Sequence, residues 1–156
     1  MSKMPDWGNI GRVMFVCHGN ICRSPMAQCL LAYFLRQAGR NDIVVASAAT
    51  STEELGNPIH PGAQAELQRH SVPIIPHRAV RLSSFDLGKY DIFIGMDAVN
   101  VLNMRRILGA ASEDKCHRLL DLSGGNRDIS DPWYTGDFTA AWNDIEEGCS
   151  FLASVL

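Results

Sequence analysis

No stretch of this sequence approaches the ~18 consecutive apolar residues of a bilayer-spanning helix. The opening residues, MSKMPDWGNIGR, lack the apolar core of a secretory signal, so the expectation is a cytoplasmic protein. Charge of one sign is scarce too: Lys and Arg number 14 against 17 Asp and Glu, a net charge of -3. So mild a balance lacks the basic footprint of a nucleic-acid binder or of a protein drawn to anionic lipid. Neither nucleic acid nor membrane is expected as a partner. Internal repeats, low-complexity tracts and long linkers are missing as well, and 156 residues leave room for one domain.

A paired cysteine framework is also missing. Cys17, Cys22, Cys29, Cys116 and Cys149 are odd in number, and without a secretion signal the thiols should be reduced. Cys17 and Cys22, with His18 beside them, invite a zinc reading, but a structural zinc site needs a second pair at similar spacing and none follows. No metal and no cofactor are expected. Cys29, Cys116 and Cys149 lie on apolar faces or strand ends and read as core.

What is present is an ordinary globular composition, 46% hydrophobic and 20% charged. Residues 1–10 read as a loose lead-in to a domain spanning 11–156. Val13-Met14-Phe15-Val16 is a short apolar run suited to a buried parallel strand. From Pro25 to Ala38, apolar residues recur at helical spacing, with Ser24 as N-cap, Pro25 in the first turn and Gly39 at the end. Strands are expected at 43–46, 91–96 and 117–120, and helices at 61–70 and from Phe138 onward. Strands alternating with helices imply an α/β fold, a four-stranded parallel sheet with helices on both faces. In such sheets ligands bind beyond the carboxyl ends of the strands, which points to the segment after Val16.

That segment reads Val16-Cys17-His18-Gly19-Asn20-Ile21-Cys22-Arg23-Ser24-Pro25. It joins a buried strand to a helix N-terminus, where unpaired N–H groups favour an anion. Five residues between Cys17 and Arg23 are enough to curl the chain around one tetrahedral group, as an anion nest. Gly19 permits backbone geometry that a Cβ would resist, and Asn20 tolerates the left-handed region. Arg23 can grip two phosphate oxygens at once. A cysteine in that field is favoured as thiolate, a nucleophile needing no neighbouring base. Ser24 either donates its hydroxyl to that thiolate or caps the helix. Cysteine, five residues and arginine form a weak pattern alone; the whole string between a strand and a helix is a strong one. Inorganic phosphate or vanadate should compete for such a loop. Farther along, Ser130-Asp131-Pro132 reads from spacing as an aspartate N-cap with proline at the first helical position. Trp133 and Tyr134 read as ordinary aromatics, and His70 as a surface helix end. His18, His60, His77 and His117 carry no separate signal.

From Arg12 onward the chain resembles the low-molecular-weight protein tyrosine phosphatases. The likeness rests on the loop, on Ser47-Ala48-Ala49-Thr50, on Met96-Asp97 and on Asp131-Pro132-Trp133-Tyr134. It implies hydrolysis of protein phosphotyrosine through Cys17, with Arg23 as phosphate clamp. It makes Asp131 the acid that protonates the departing phenolate and later takes a proton from water. By the same resemblance, Ser47 and His70 partner Asn20, and Trp133 and Tyr134 wall the pocket. Cys22 is either a small buried loop residue or a thiol that traps oxidised Cys17 as a disulfide. The sequence departs from the family in having Ala49 for glycine, and Ser51-Thr52-Glu53-Glu54-Leu55 where an aromatic wall is usual. Three rival readings share the loop. An arsenate reductase would need shuttle cysteines, which are absent near the third strand. A phosphoarginine phosphatase would carry threonine at Ile21. A cysteine phosphocarrier would have little use for Arg23 together with an acid.

Overall fold

The computed structural model describes residues 4–156. Its frame is a sheet of four parallel strands: β1 (Arg12–Cys17), β2 (Val44–Ala49), β3 (Ile92–Gly95) and β4 (Cys116–Arg118), in the order β2-β1-β3-β4. The chain steps from β1 outward to β2 and then returns to the opposite side of β1 for β3. The reversal opens a crevice at the carboxyl end of β1, where ligands of such sheets bind.

From Val13 to Cys17, β1 is apolar and buried because both of its faces are covered. Val13, Phe15 and Cys17 face one core with Ile92 and Ile94, while Met14 and Val16 face the other with Phe93. The first core is roofed by α1 (Arg23–Gln37), α2 (Pro61–Arg69), a short α4 (Leu119–Leu122) and α6 (Phe138–Val155). The second is closed by α3 (Ala98–Leu108), through Val101, Met104 and Leu108. A one-turn helix, α5 (Pro132–Thr135), completes the set. Helices on both faces of a four-stranded parallel sheet match the expectation. No helix among the described residues is long and apolar enough to cross a membrane.

Several boundaries differ from the sequence reading. α1 starts at Arg23 with Cys22 as N-cap, so Ser24 sits inside the first turn rather than capping it. The helix ends at Gly39 as expected: Gly39 has φ +74°, Gly39 N–H donates to Arg36 C=O and Arg40 N–H to Leu35 C=O. That is the paired closure a left-handed residue permits. β2 runs on to Ala49, placing Ala49 opposite Cys17, because pairing with β1 holds it extended to the end of that strand. Leu119 and Leu120, assigned to the fourth strand, turn into α4, whose three leucines bury against the α6 side. α3 escaped the sequence reading, although Asp97 and Asn100 form a reciprocal capping box at its start. Of the lead-in, residues 1–3 lie outside the described residues. Residues 7–9 form a 3-10 turn, and the Trp7 ring meets Phe151 edge-on at 6.0 Å.

Gly148 marks the tightest approach between α6 and α4. A Cβ there would lie 2.4 Å from Leu119 Cγ and 2.7 Å from its Cδ1. The gain in helix propensity from Gly to Ala is ~1 kcal/mol, against overpacking costs of about 1–3 kcal/mol at a side chain that cannot move aside. Leu119 is fully buried, so Gly148→Ala should lower stability in urea denaturation. Unchanged or increased stability would mean that α4 yields to α6 at little cost.

Candidate active site

Cys17 ends β1, 3% exposed, and the chain then bends around its sulfur. Asn20 makes the bend in the left-handed region (φ +60°) and turns its N–H toward Cys17 Sγ at 3.3 Å. Gly19 was expected to supply unusual backbone geometry, yet its φ is not positive. Its lack of a side chain instead makes room for Glu54, whose Cγ would stand 3.3 Å from a Cβ. The N–H groups of His18, Gly19, Ile21 and Cys22 meet no acceptor among the described residues, leaving them for an anion. Ser24 Oγ lies 2.9 Å from Cys17 Sγ, so of its two readings the structure supports the hydroxyl at the sulfur.

The Asn20 side chain is fully enclosed and fully used. Its Oδ1 accepts from Val80 N–H at 3.1 Å, and its Nδ2 donates to Ser24 Oγ at 2.8 Å and Ser47 Oγ at 2.9 Å. Ser47 is thus an Asn20 partner, as expected, but His70 is not. The His70 ring stacks on Trp142 at 4.4 Å, with its Nε2 3.4 Å from Glu66, because α2 and α6 pack there. The histidine that does touch Asn20 is His77, whose Nε2–H donates to the Asn20 carbonyl at 2.6 Å. Burial pushes the His77 pKa down, against that hydrogen bond, which favours the neutral ring.

Arg23 is 2% exposed. Its Nη1 donates to Asp97 Oδ2 and to Ile129 C=O, both at 2.8 Å, and its Nη2 faces Asp131 Oδ2 at 3.4 Å. Burial would lower its pKa, but Cys17, Asp131 and Asp97 outweigh burial and hold it above the ordinary value. Burial, reinforced by Cys17, pushes the neighbouring Cys22 thiol up to about 12, so Cys22 is a neutral thiol.

Above the loop opens a small cleft, lined by Cys17, Ile21, Cys22 and Arg23 below and Asp131 at one side. Trp133 and Tyr134 stand on that side, 53% and 78% exposed. Trp133 meets His60 edge-on, and His60 in turn stacks on Phe138. The opposite side has no aromatic; Glu53 and Glu54 form it, with Glu53 Oε2 2.9 Å from His18 Nε2. Asp131 does cap α5, its Oδ1 accepting from Trp133 N–H at 3.1 Å, while its Oδ2 faces Arg23. The cap and the cleft therefore use different oxygens of one carboxylate.

Residues 12–156 match the family model for low molecular weight phosphotyrosine protein phosphatase. The chain belongs to this family. It is 37% identical to the low molecular weight protein-tyrosine-phosphatase YfkJ of Bacillus subtilis, over 92% of this chain and 94% of that protein. It is 35% identical to PtpA of Staphylococcus saprophyticus, over 92% of each. The crystal structure of YfkJ superposes with a TM-score of 0.88, covering 94% of each chain. The crystal structure of DARP, a drosophila arginine phosphatase, superposes at 0.80 with 28% identity, over 89% of this chain and 93% of that one.

Three residues of this phosphatase's site had no role in the sequence reading. Asp97 was noted only as part of Met96-Asp97, His77 was set aside, and Gln28, which accepts from Ser47 Oγ at 2.6 Å, was one polar residue of a helix. Asp97 alone had a local signal, as the first residue of a capping box; the others are placed by tertiary contact. Asp97 both caps α3 and orients Arg23. Asn caps nearly as well as Asp, so Asp97→Asn should keep the α3 cap, and any fall in the thermal midpoint comes from the buried Arg23 losing its carboxylate partner. The substitution should lower kcat/KM for an aryl phosphate by about 5- to 30-fold, a charged hydrogen bond being worth roughly 1–2 kcal/mol more than a neutral one. Normal kinetics would mean that Ile129 and packing alone hold the guanidinium.

Proposed function

We propose that this protein hydrolyses protein phosphotyrosine, and aryl phosphates generally, through a phosphocysteine intermediate. The observation that carries the reading is that Cys17 and Arg23, from one loop, and Asp131, 108 residues beyond Arg23, line one cleft. In the first step Cys17 Sγ attacks phosphorus, an S–P bond forms and the P–O bond to the phenyl ring breaks. The bonding pair leaves with the phenolate oxygen, which takes the proton of Asp131. Arg23 holds two equatorial oxygens, and the loop N–H groups receive the charge that develops on the phosphoryl group. In the second step the Asp131 carboxylate accepts a proton from water as that water attacks phosphorus. The S–P bond breaks, and inorganic phosphate and the Cys17 thiolate return. Phosphate and vanadate should therefore compete with substrate. We assign the protein to the cytoplasm, and Cys22 the role of a resolving thiol for oxidised Cys17.

Phosphoarginine is the competing substrate class, in view of the likeness to DARP. Apolar Ile21, 7% exposed at the cleft, and the aromatic pair Trp133 and Tyr134 favour a phenyl ring over a guanidine. The arsenate reductase and phosphocarrier readings gain no support, since Cys29, Cys116 and Cys149 do not line the cleft and Asp131 stands where a leaving-group acid is needed.

Cys17→Ser should abolish turnover, because a serine hydroxyl stays protonated at neutral pH with no base beside it. Vanadate-site binding, followed by calorimetry with inorganic phosphate, should survive. A few per cent of wild-type turnover in that variant would reassign the nucleophile.

The acid is tested by Asp131→Asn, which keeps the α5 cap. kcat on tyrosine-like phosphates should fall by roughly 10²–10⁴, the usual worth of a positioned acid. The deficit should shrink across a series of aryl phosphates with increasingly acidic leaving groups, which depart without a proton. A small, uniform effect across the series would leave Asp131 as a cap alone, and faster turnover of a phosphoarginine peptide than a phosphotyrosine one would shift the substrate class.

A further inference from the structure

The aromatic side of the cleft is built on a residue that does not line it. His60 is the N-cap of α2. Its backbone N–H donates to the Ile21 carbonyl of the phosphate loop at 2.8 Å. Its ring is held from two directions. Nδ1 accepts from Gly62 N–H at 3.0 Å, which ties the ring to the first turn of the helix. One face stacks on Phe138, with centroids 5.1 Å and planes 23° apart. Phe138 is anchored in turn. It packs against Ile21, Cys22 and Ala79, and it occupies the place of a Gly62 side chain, whose Cβ would stand 2.5 Å from Phe138 Cε2. Against this platform leans the Trp133 indole, edge-on to His60 at 5.8 Å and 83°. That is a favoured geometry for two aromatic rings. Trp133 is 53% exposed, and His60 is the one ring it meets among the described residues. The Trp133 N–H bond to Asp131 fixes the main chain there, but the rotamer of the indole is left to its neighbours.

We infer that His60 is a positioning residue for substrate selection: its ring, seated on Phe138, holds the Trp133 indole in the orientation that receives an aromatic leaving group. The inference rests on the proposed function, in which Trp133 is a wall for the phenyl ring. An exposed indole fixed before the substrate arrives spares binding the cost of ordering it, which for one side chain is about 2- to 10-fold in affinity. A ligand without a ring does not reach the indole and gains nothing from its being fixed. His60 acts on the phosphate end of the cleft only through its backbone N–H, which every replacement except proline retains. Changing its side chain therefore alters the wall and leaves Cys17, Arg23 and the loop N–H groups as they are. The other side of the cleft, Glu53 and Glu54, offers no ring to take over the role.

The test is calorimetry with two ligands that share a non-hydrolysable head group, benzylphosphonate and methylphosphonate. The proteins are wild type, His60→Asn, His60→Phe, Trp133→Ala and the double variant His60→Asn/Trp133→Ala. Asn keeps the α2 cap and removes the ring. In His60→Asn the preference for benzylphosphonate over methylphosphonate should fall about 2- to 10-fold, with methylphosphonate affinity itself within about twofold of wild type. His60→Phe keeps a ring on Phe138 and gives up the cap, so its thermal midpoint should fall while the preference stays within about twofold of wild type. Since His60 acts through the indole, the double variant should match Trp133→Ala, with no further loss. An unmoved preference in His60→Asn overturns the inference. So does an equal loss in the Asn and Phe variants, because the ring would then not be what counts. Additive losses in the double variant overturn it too, as does methylphosphonate weakening in step with benzylphosphonate, which would make His60 a packing residue of the loop. Turnover of a phosphotyrosine peptide, measured alongside, tests the proposed function separately: its absence with the ligand preference intact would sink that reading and leave the role of His60 standing.

Discussion

A guanidinium closed off from water must be met by opposite charge and hydrogen bonds, or it costs several kcal/mol. Arg23 is in that position, and the surrounding architecture follows from it. Asp97 at the head of α3, the Ile129 carbonyl and Asp131 at the head of α5 all converge on one side chain. The segment carrying Ile129 is itself tied back to β3, since Ile129 N–H donates to the Met96 carbonyl. Elements separated by more than a hundred residues are thus pinned about a single charge at the mouth of the β1–α1 loop. The arginine is held by fixed partners before a phosphate arrives, so little ordering remains for binding to accomplish.

The same economy governs Asp97 and Asp131. Each uses one oxygen to cap a helix and the other to face Arg23. Capping fixes the carboxylate rotamer, and a fixed carboxylate near a buried cation holds that cation's orientation. Structural stability and site geometry are therefore not separate properties here. In the polar layer beneath the loop, Asn20 satisfies Val80, Ser24 and Ser47 with one amide, while its carbonyl receives His77. Buried polar networks of this kind specify one arrangement when every member is satisfied.

The cleft above is asymmetric. Trp133 and Tyr134 form one side, with Trp133 supported by His60 and Phe138. Glu53 and Glu54 form the other, with Glu54 reaching over Gly19 and Glu53 paired to His18. The aromatic side offers apolar contact area and the acidic side offers charge. A phosphate entering between them meets its positive field only at the floor, where the N–H groups and Arg23 lie.

Much of this was legible in the sequence because it is local. The apolar run of β1, the curl of Cys17 to Arg23 and the α1 stop at Gly39 depend on neighbours along the chain, and their residue types announce them. So does the Asp131-Pro132 cap. Other features escaped because their cause lies across space. β2 extends to Ala49 because β1 is beside it, and Leu119 and Leu120 leave the sheet because α6 offers them a core. The histidine on Asn20 is His77 and not His70, since α2 carries the latter onto Trp142. Asp97 and Gln28 gain their roles only from partners 74 and 19 residues away. By itself, then, the sequence determined the chemistry of the loop and the order of the elements, because short-range backbone preference and hydrophobic pattern are written residue by residue. Which side chains surround that loop was decided only by the tertiary structure, because a buried polar group takes its partner from whatever the packing of distant elements brings within 3 Å.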